Sequence, residues 1–189
     1  MAEFKNIEGL PQEVQSAFVP VLNKLVEAVG EQVASVFLYG SSTGKNFIPK
    51  VSDVNSAVVV FAAEPKVLEK ILGVMRTVRN RRVRAPLVLT KEHIRSSLDV
   101  FPIEFLEMQE NYVVLYGEDL LKDIVVEDRH ARLFCEQQIK GKLIRIRQAY
   151  LESGRRKGAL EILLKESLNT LIPVFRTLLR LKKVHPPAD

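Results

Sequence analysis

The chain reads as an α+β protein: a mixed β-sheet flanked by helices, followed by an α-helical C-terminal region. Three observations carry that reading. Two apolar runs rich in β-branched residues, Val33–Tyr39 and Val54–Phe61, stand between segments of helical periodicity. Apolar stripes at three- and four-residue spacing occur before and after that pair. Beyond about residue 125 the strand signals stop and two long helical patterns take over, which divides the 189 residues into 1–124 and 125–189.

The elements follow in order. Residues from about 11 to 29 form an opening helix, with Val14, Phe18, Val21, Leu22, Leu25 and Val29 on one stripe, Pro11 in the first turn and Gly30 at the stop. Pro20 is predicted to kink or split it, because proline lacks the helical N–H. After the two strands, Pro65 to about Asn80 is helical through Val67, Leu68, Ile71, Leu72, Met75 and Val78. Arg84–Leu89 is a short third strand, assigned to an edge because of Pro86, and Thr90 caps a short helix over Lys91–Leu98. Ile103–Met108 is read as a strand, since Phe101 and Pro102 interrupt any helix before it, and Tyr112–Tyr116 closed by Gly117 is a further extended piece. Cys135, Ile139, Leu143, Ile146 and Tyr150 then trace one long helix. After Ser153-Gly154, a second runs to about Lys183 and is apolar over more than one face, so it needs cover on two sides. Either the N-terminal domain or another chain must supply it, and the expectation is that part of this surface makes a homodimer contact, with Leu171, Phe175 and Leu178 as candidates.

Composition removes several classes of function. Cys135 is the only cysteine, so there is no disulfide framework and no cysteine metal site; its place on an apolar stripe makes it a core residue. His93, His130 and His185 show no metal-ligand spacing. There is no signal-peptide pattern and no apolar run near twenty residues, which points to a cytoplasmic protein without a membrane span. The net charge of +5 is locally concentrated, with Arg76, Arg79, Arg81, Arg82 and Arg84 in one cluster and Arg155, Arg156 and Lys157 in another. No aromatics interleave with them as a base-stacking surface requires, so nucleic acid is not the expected partner.

The richest stretch is Val36–Phe61, VFLYGSSTGKNFIPKVSDVNSAVVVF. Gly40 permits a sharp turn and a close approach of phosphate to main-chain N–H groups, and Ser41 adds a hydroxyl. Asp53 and Asn55 are two apart on a strand and therefore share a face. Two carboxylates in that arrangement can hold Mg²⁺, which keeps substrate phosphates in its shell, activates an attacking oxygen and neutralises leaving pyrophosphate. Asn55 offers an oxygen without the charge.

A strand ending in Gly-Ser, a loop, and an acidic pair opening the next strand together resemble the signature of the DNA polymerase β-like nucleotidyltransferases. The likeness to small members of that superfamily extends over most of the chain, including FPIEFLEMQENYVVLYGEDL, but its specific motif is confined to residues 40–55. The resemblance implies a nucleotidyltransferase-type sheet with Gly40-Ser41 facing Asp53 across a cleft. It implies Gly40, Ser41, Ser42 and Lys45 at the nucleotide phosphates, and Mg²⁺ at Asp53 and Asn55, bound weakly or only with nucleotide. Asp53 and Glu104 become the catalytic carboxylates, Glu104 as the third acid on a later strand. The departure is Asn55, which stands where the superfamily has its second carboxylate. Two readings follow: transfer of a nucleoside monophosphate from a nucleoside triphosphate to a hydroxyl of a small-molecule or protein acceptor, impaired by Asn55, or a catalytically inactive nucleotide-sensing or protein-interaction module.

Overall fold

The computed structural model describes residues 3–44, 46–79, 82–154 and 156–184; Lys45, Asn80, Arg81, Arg155 and the tail from His185 lie outside the described residues. The described chain forms α1 (Gln12–Val29), β1 (Val33–Tyr39), β2 (Asn55–Val60), α2 (Pro65–Met75), β3 (Leu87–Thr90), α3 (Lys91–Ser96), α4 (Pro102–Glu110), β4 (Tyr112–Gly117), α5 (Asp128–Ser153) and α6 (Lys157–Leu181). It is an α+β fold with a mixed four-stranded sheet in the order β3-β2-β1-β4. β1 pairs antiparallel with both β2 and β4, and β2 pairs parallel with β3. The chain divides into two compact units: Met1–Ser96 with Met108–Ile124, and Ser97–Glu107 with Val125–Asp189.

The first unit is organised around the sheet. Val36 and Leu38 of β1 and Val58 and Val60 of β2 point to one face, where Val14, Phe18, Leu22 and Leu25 of α1 and Val67, Ile71 and Val74 of α2 pack against them. Residues at alternating strand positions take the other face, as the two-residue period of a strand requires. Phe37 is the large aromatic there, edge-on to Tyr39 and Tyr112. α1 runs as one helix through Pro20, which does not split it. Its buried stripe of Val14, Phe18, Val21, Leu22, Leu25 and Val29 outweighs one missing backbone hydrogen bond.

Two turns need glycine. Gly40 has φ +68° at the end of β1, and Gly117 has φ +78° at the end of β4. A Cβ on Gly117 would lie 2.1 Å from the Ala34 carbonyl oxygen, so close approach of β1 excludes any side chain there.

The expected strand over Ile103–Met108 is a helix, α4. Pro102 does not interrupt that helix; it is the first helical residue, where a missing N–H costs nothing and φ is already helical. β3 is confined to Leu87–Thr90, with Pro86 just before it on the edge strand, and α2 ends at Met75. The Thr90 hydroxyl accepts the His93 N–H at 3.0 Å and caps α3.

The second unit is built on the α5–α6 helix pair. Ile103, Cys135 and Val174 form its buried cluster, with Phe134, Ile139 and Leu178 packed around them. Burial pushes the Cys135 thiol above its ordinary pKa, which keeps it neutral. Glu107 receives both Arg176 at 3.6 Å and Arg180 at 3.1 Å. Among the described residues no helix is long and apolar enough to cross a membrane.

Candidate functional site

The register between β1 and β2 builds the site. Tyr39 pairs with Asn55 as the last rung, so the Gly40 turn and Asp53 leave the sheet side by side. Gly40, with its positive φ, swings the chain into a 3-10 turn over Gly40–Thr43. The Gly40 N–H is already used, donating to the Asn111 carbonyl at 2.8 Å. A 3-10 ladder over Gly40–Thr43 begins with the Ser42 N–H on the carbonyl of the preceding Tyr39, so of the next N–H groups only that of Ser41 stands outside it.

Each residue expected at the phosphates can now be placed. Ser41 is half-buried at the start of the turn. Ser42 is fully buried, and its hydroxyl shares one proton between the carbonyls of Tyr39 at 2.6 Å and Asn55 at 3.1 Å. That side chain locks the turn to β2 and is not free for a ligand. The Thr43 hydroxyl similarly donates to the Gly40 carbonyl at 2.9 Å. Lys45 lies outside the described residues.

Asp53 and Asn55 share the face of the sheet away from α1 and α2, because Val54 between them is buried in the core formed with those helices. Burial pushes the Tyr39 phenol above its ordinary pKa, so Asn55 sits beside a neutral neighbour. Asp53 has a strong partner. Arg84 donates to its Oδ2 through Nε and Nη2, each at 2.8 Å. The local backbone fixes this contact: the Val54 N–H donates to the Arg82 carbonyl at 2.8 Å, and the Arg84 N–H donates to the Val54 carbonyl at 3.1 Å. Val54 and Val83 thereby form a parallel bridge that sets Arg84 beside Asp53.

Glu104 is exposed in the first turn of α4, in the second unit. The strand that was to carry it as a third acid is a helix, so the basis for grouping it with Asp53 falls away.

Mg²⁺ takes oxygen ligands, and proteins hold it through one or two carboxylates together with waters and substrate phosphates. Here one oxygen of Asp53 carries two guanidinium hydrogen bonds, Asn55 contributes no charge, and among the described residues no group of three or more His, Cys, Asp or Glu side chains is disposed to hold a metal. The described side chains of the site offer a divalent ion one carboxylate, already ion-paired, and one uncharged amide oxygen.

Sequence reasoning missed Arg84 as a site residue and placed it within a basic cluster. The signal was present in two parts, a strand near residue 84 and an acid just before β2; a parallel pairing of those segments puts the two charges together.

No protein-family model and no curated protein matches this sequence. Among solved structures, the chain is similar to the spectinomycin adenyltransferase AAD(9) from Enterococcus faecialis, solved with ATP and spectinomycin. Identity is 12%, 89% of each chain is covered, and the TM-score is 0.45.

Proposed function

We propose that this chain is a nucleotidyltransferase-type domain that has lost metal-dependent transfer and works as a nucleotide-sensing module. The observation that carries this reading is the Arg84–Asp53 pair, in which a guanidinium stands against the carboxylate that a metal would need. A guanidinium stays protonated at all physiological pH and matches phosphate oxygens through paired N–H groups. It cannot activate a hydroxyl for attack, since it is already protonated and has no lone pair with which to take a further proton. Nucleotidyl transfer rests on positioning and charge neutralisation around the phosphates, with a metal or a base at the nucleophile. Neither Asn55 nor a paired Asp53 supplies the second requirement. The remaining elements suit binding: the N–H and hydroxyl of Ser41 and the outer face of Arg84 are all donors. Incubation with ATP and GTP in Mg²⁺ or Mn²⁺, followed by pyrophosphate release, tests the loss of transfer. No release above the protein-free rate is the expected outcome. Release that Asp53→Ala abolishes would contradict the proposal.

A second copy of this chain is the proposed cover for α6. Leu164, Leu168, Ile172 and Phe175 are 70%, 58%, 36% and 48% exposed and recur at helical spacing along one face. With Ile162 and five large apolar side chains of α5, ten such residues of this helix pair are at least 36% exposed. Monomers rarely expose contiguous apolar patches beyond a few hundred Å², and a stable interface needs about 800 Å² per partner. Leu171 and Leu178 are half-buried, so of the residues first assigned to this contact Phe175 is the exposed one.

A further inference from the structure

On the helix-covered side of the sheet, Lys24 of α1 reaches across to the turn after α2. Its Nζ donates to the Thr77 hydroxyl oxygen at 2.9 Å, and that hydroxyl donates to the Val74 carbonyl at 2.8 Å. Beside this bridge lies an open cavity of about 680 Å³, whose wall includes Ser16, Pro20, Lys24, Arg76, Thr77 and Arg79. The lining contains three cations and no acidic side chain. The side chains of Arg76 and Arg79 have no ion-pair or hydrogen-bond partner among the described residues. Two of the three Lys24 ammonium protons are left over after the bond to Thr77.

Macrodipole stabilisation accounts for a basic residue at the end of α2. It does not account for Lys24, which lies ahead of the last turn of α1 and is tied toward the two arginines by Thr77. Three like charges drawn to one groove repel unless an anion joins them. The groove also offers an acceptor: residue 20 is proline, so the Ser16 carbonyl lacks the N–H that would close its helical turn.

We propose that this groove binds a small phosphate-rich anion of the nucleotide or polyphosphate class. Its phosphates are held by Arg76, Arg79 and Lys24, and a hydroxyl or amino group of the same ligand donates to the Ser16 carbonyl. The cavity lies within the roughly 300–1,000 Å³ range of small-molecule sites. Planar guanidiniums suit phosphate oxygens, and the exposed setting makes binding salt-sensitive. Asp53 and Asn55 look to the opposite face of the sheet, so the two anion sites are separate.

Calorimetry of the full chain with sodium tripolyphosphate tests this, using Arg84→Ala to silence the other site. Saturable one-to-one binding is expected to survive in Arg84→Ala, to weaken as salt rises, and to fall at least tenfold when Arg76→Ala and Arg79→Ala are added or Lys24→Met is added. Both arginines are exposed, so unchanged melting temperatures will show that these variants fold. Loss of all binding in Arg84→Ala alone overturns the groove and leaves the proposed function standing. Binding that ignores Arg76, Arg79 and Lys24 overturns it as well. A single-stranded oligonucleotide that displaces tripolyphosphate, with affinity rising with its length, overturns the assignment to a small anion.

Discussion

Arg84 holds Asp53 through a single carboxylate oxygen: Nε and Nη2 of the guanidinium both lie 2.8 Å from Oδ2. With side-chain exposures of 62% for Arg84 and 36% for Asp53, the pair sits in water-accessible surroundings and contributes little to stability. Exposed ion pairs of this type contribute about 0.2–1 kcal/mol. Its importance is chemical, because it occupies the carboxylate.

Removing that occupation while adding charge should create a cation site. Asn55→Asp alone gives Arg84 a second carboxylate to bridge and should gain little Mg²⁺ affinity. Asn55→Asp with Arg84→Ala leaves two free carboxylates on one strand face, and Mg²⁺ or Mn²⁺ binding should appear in calorimetry or in the Mn²⁺ resonance signal. Arg84→Ala should melt within about 1 kcal/mol of the parent. A double variant that remains blind to both ions would show that the strand face lacks the geometry of a metal site.

The two turn glycines should separate by cost. Gly40→Ala meets open space at Cβ and suffers only from φ +68°, a cost of about 1–2 kcal/mol and a fall in melting temperature of roughly 2–4 °C per kcal/mol. Gly117→Ala adds a clash with the Ala34 carbonyl and should cost more than about 3 kcal/mol or prevent folding. Thermal melts check both. Similar losses would argue against the close β1–β4 approach.

Much of this architecture was legible because local signals agreed with the tertiary arrangement. The β-branched run of β2, the stripe of α1 and the Thr90 cap all appear where the residues demand them. α4 was misread because Ile103, Phe105, Leu106 and Met108 suit either period, and Pro102 marks both breaks and first helical turns. The Asp53–Arg84 contact spans 31 residues and depends on the parallel Val54–Val83 register, which no local pattern encodes. The commitment of the Ser42 hydroxyl to two carbonyls was hidden for the same reason. Gly-Ser-Ser specifies a turn, and only the register decides which hydroxyl closes it.

Alkaline pH should reveal Tyr112. Its phenol is pushed up to about 12, first by burial, then by its hydrogen bonds to Asp119 at 3.0 and 3.1 Å and the negative charge of Asp119 and Asp123. The fold therefore favours the protonated phenol over the unfolded value of 10. The stability this group adds is complete below pH 10 and is lost as the pH climbs through about 12. Urea midpoints across that window should fall more steeply for the parent than for Tyr112→Phe. Parallel curves would remove the Asp119 contact as the cause.

The α6 face gives a clean association test. Leu168→Glu places a charge in the middle of the exposed stripe without touching the buried Val174 cluster. Light scattering should show a dimer for the parent and a monomer for the variant, with little change in melting of the dissociated chain. A parent that stays monomeric at every concentration contradicts the dimer.

The most direct measurement is the affinity for ATP and GTP, each titrated with Mg²⁺ and with the metal chelated. If Arg84 has taken over the charge that a metal would supply beside Asp53, nucleotide should bind equally well in both conditions, and Arg84→Ala should weaken binding in both. Tighter binding in Mg²⁺ that is lost in Asp53→Ala, accompanied by pyrophosphate release, would mean that the pair opens to admit a metal and that the chain is a working transferase.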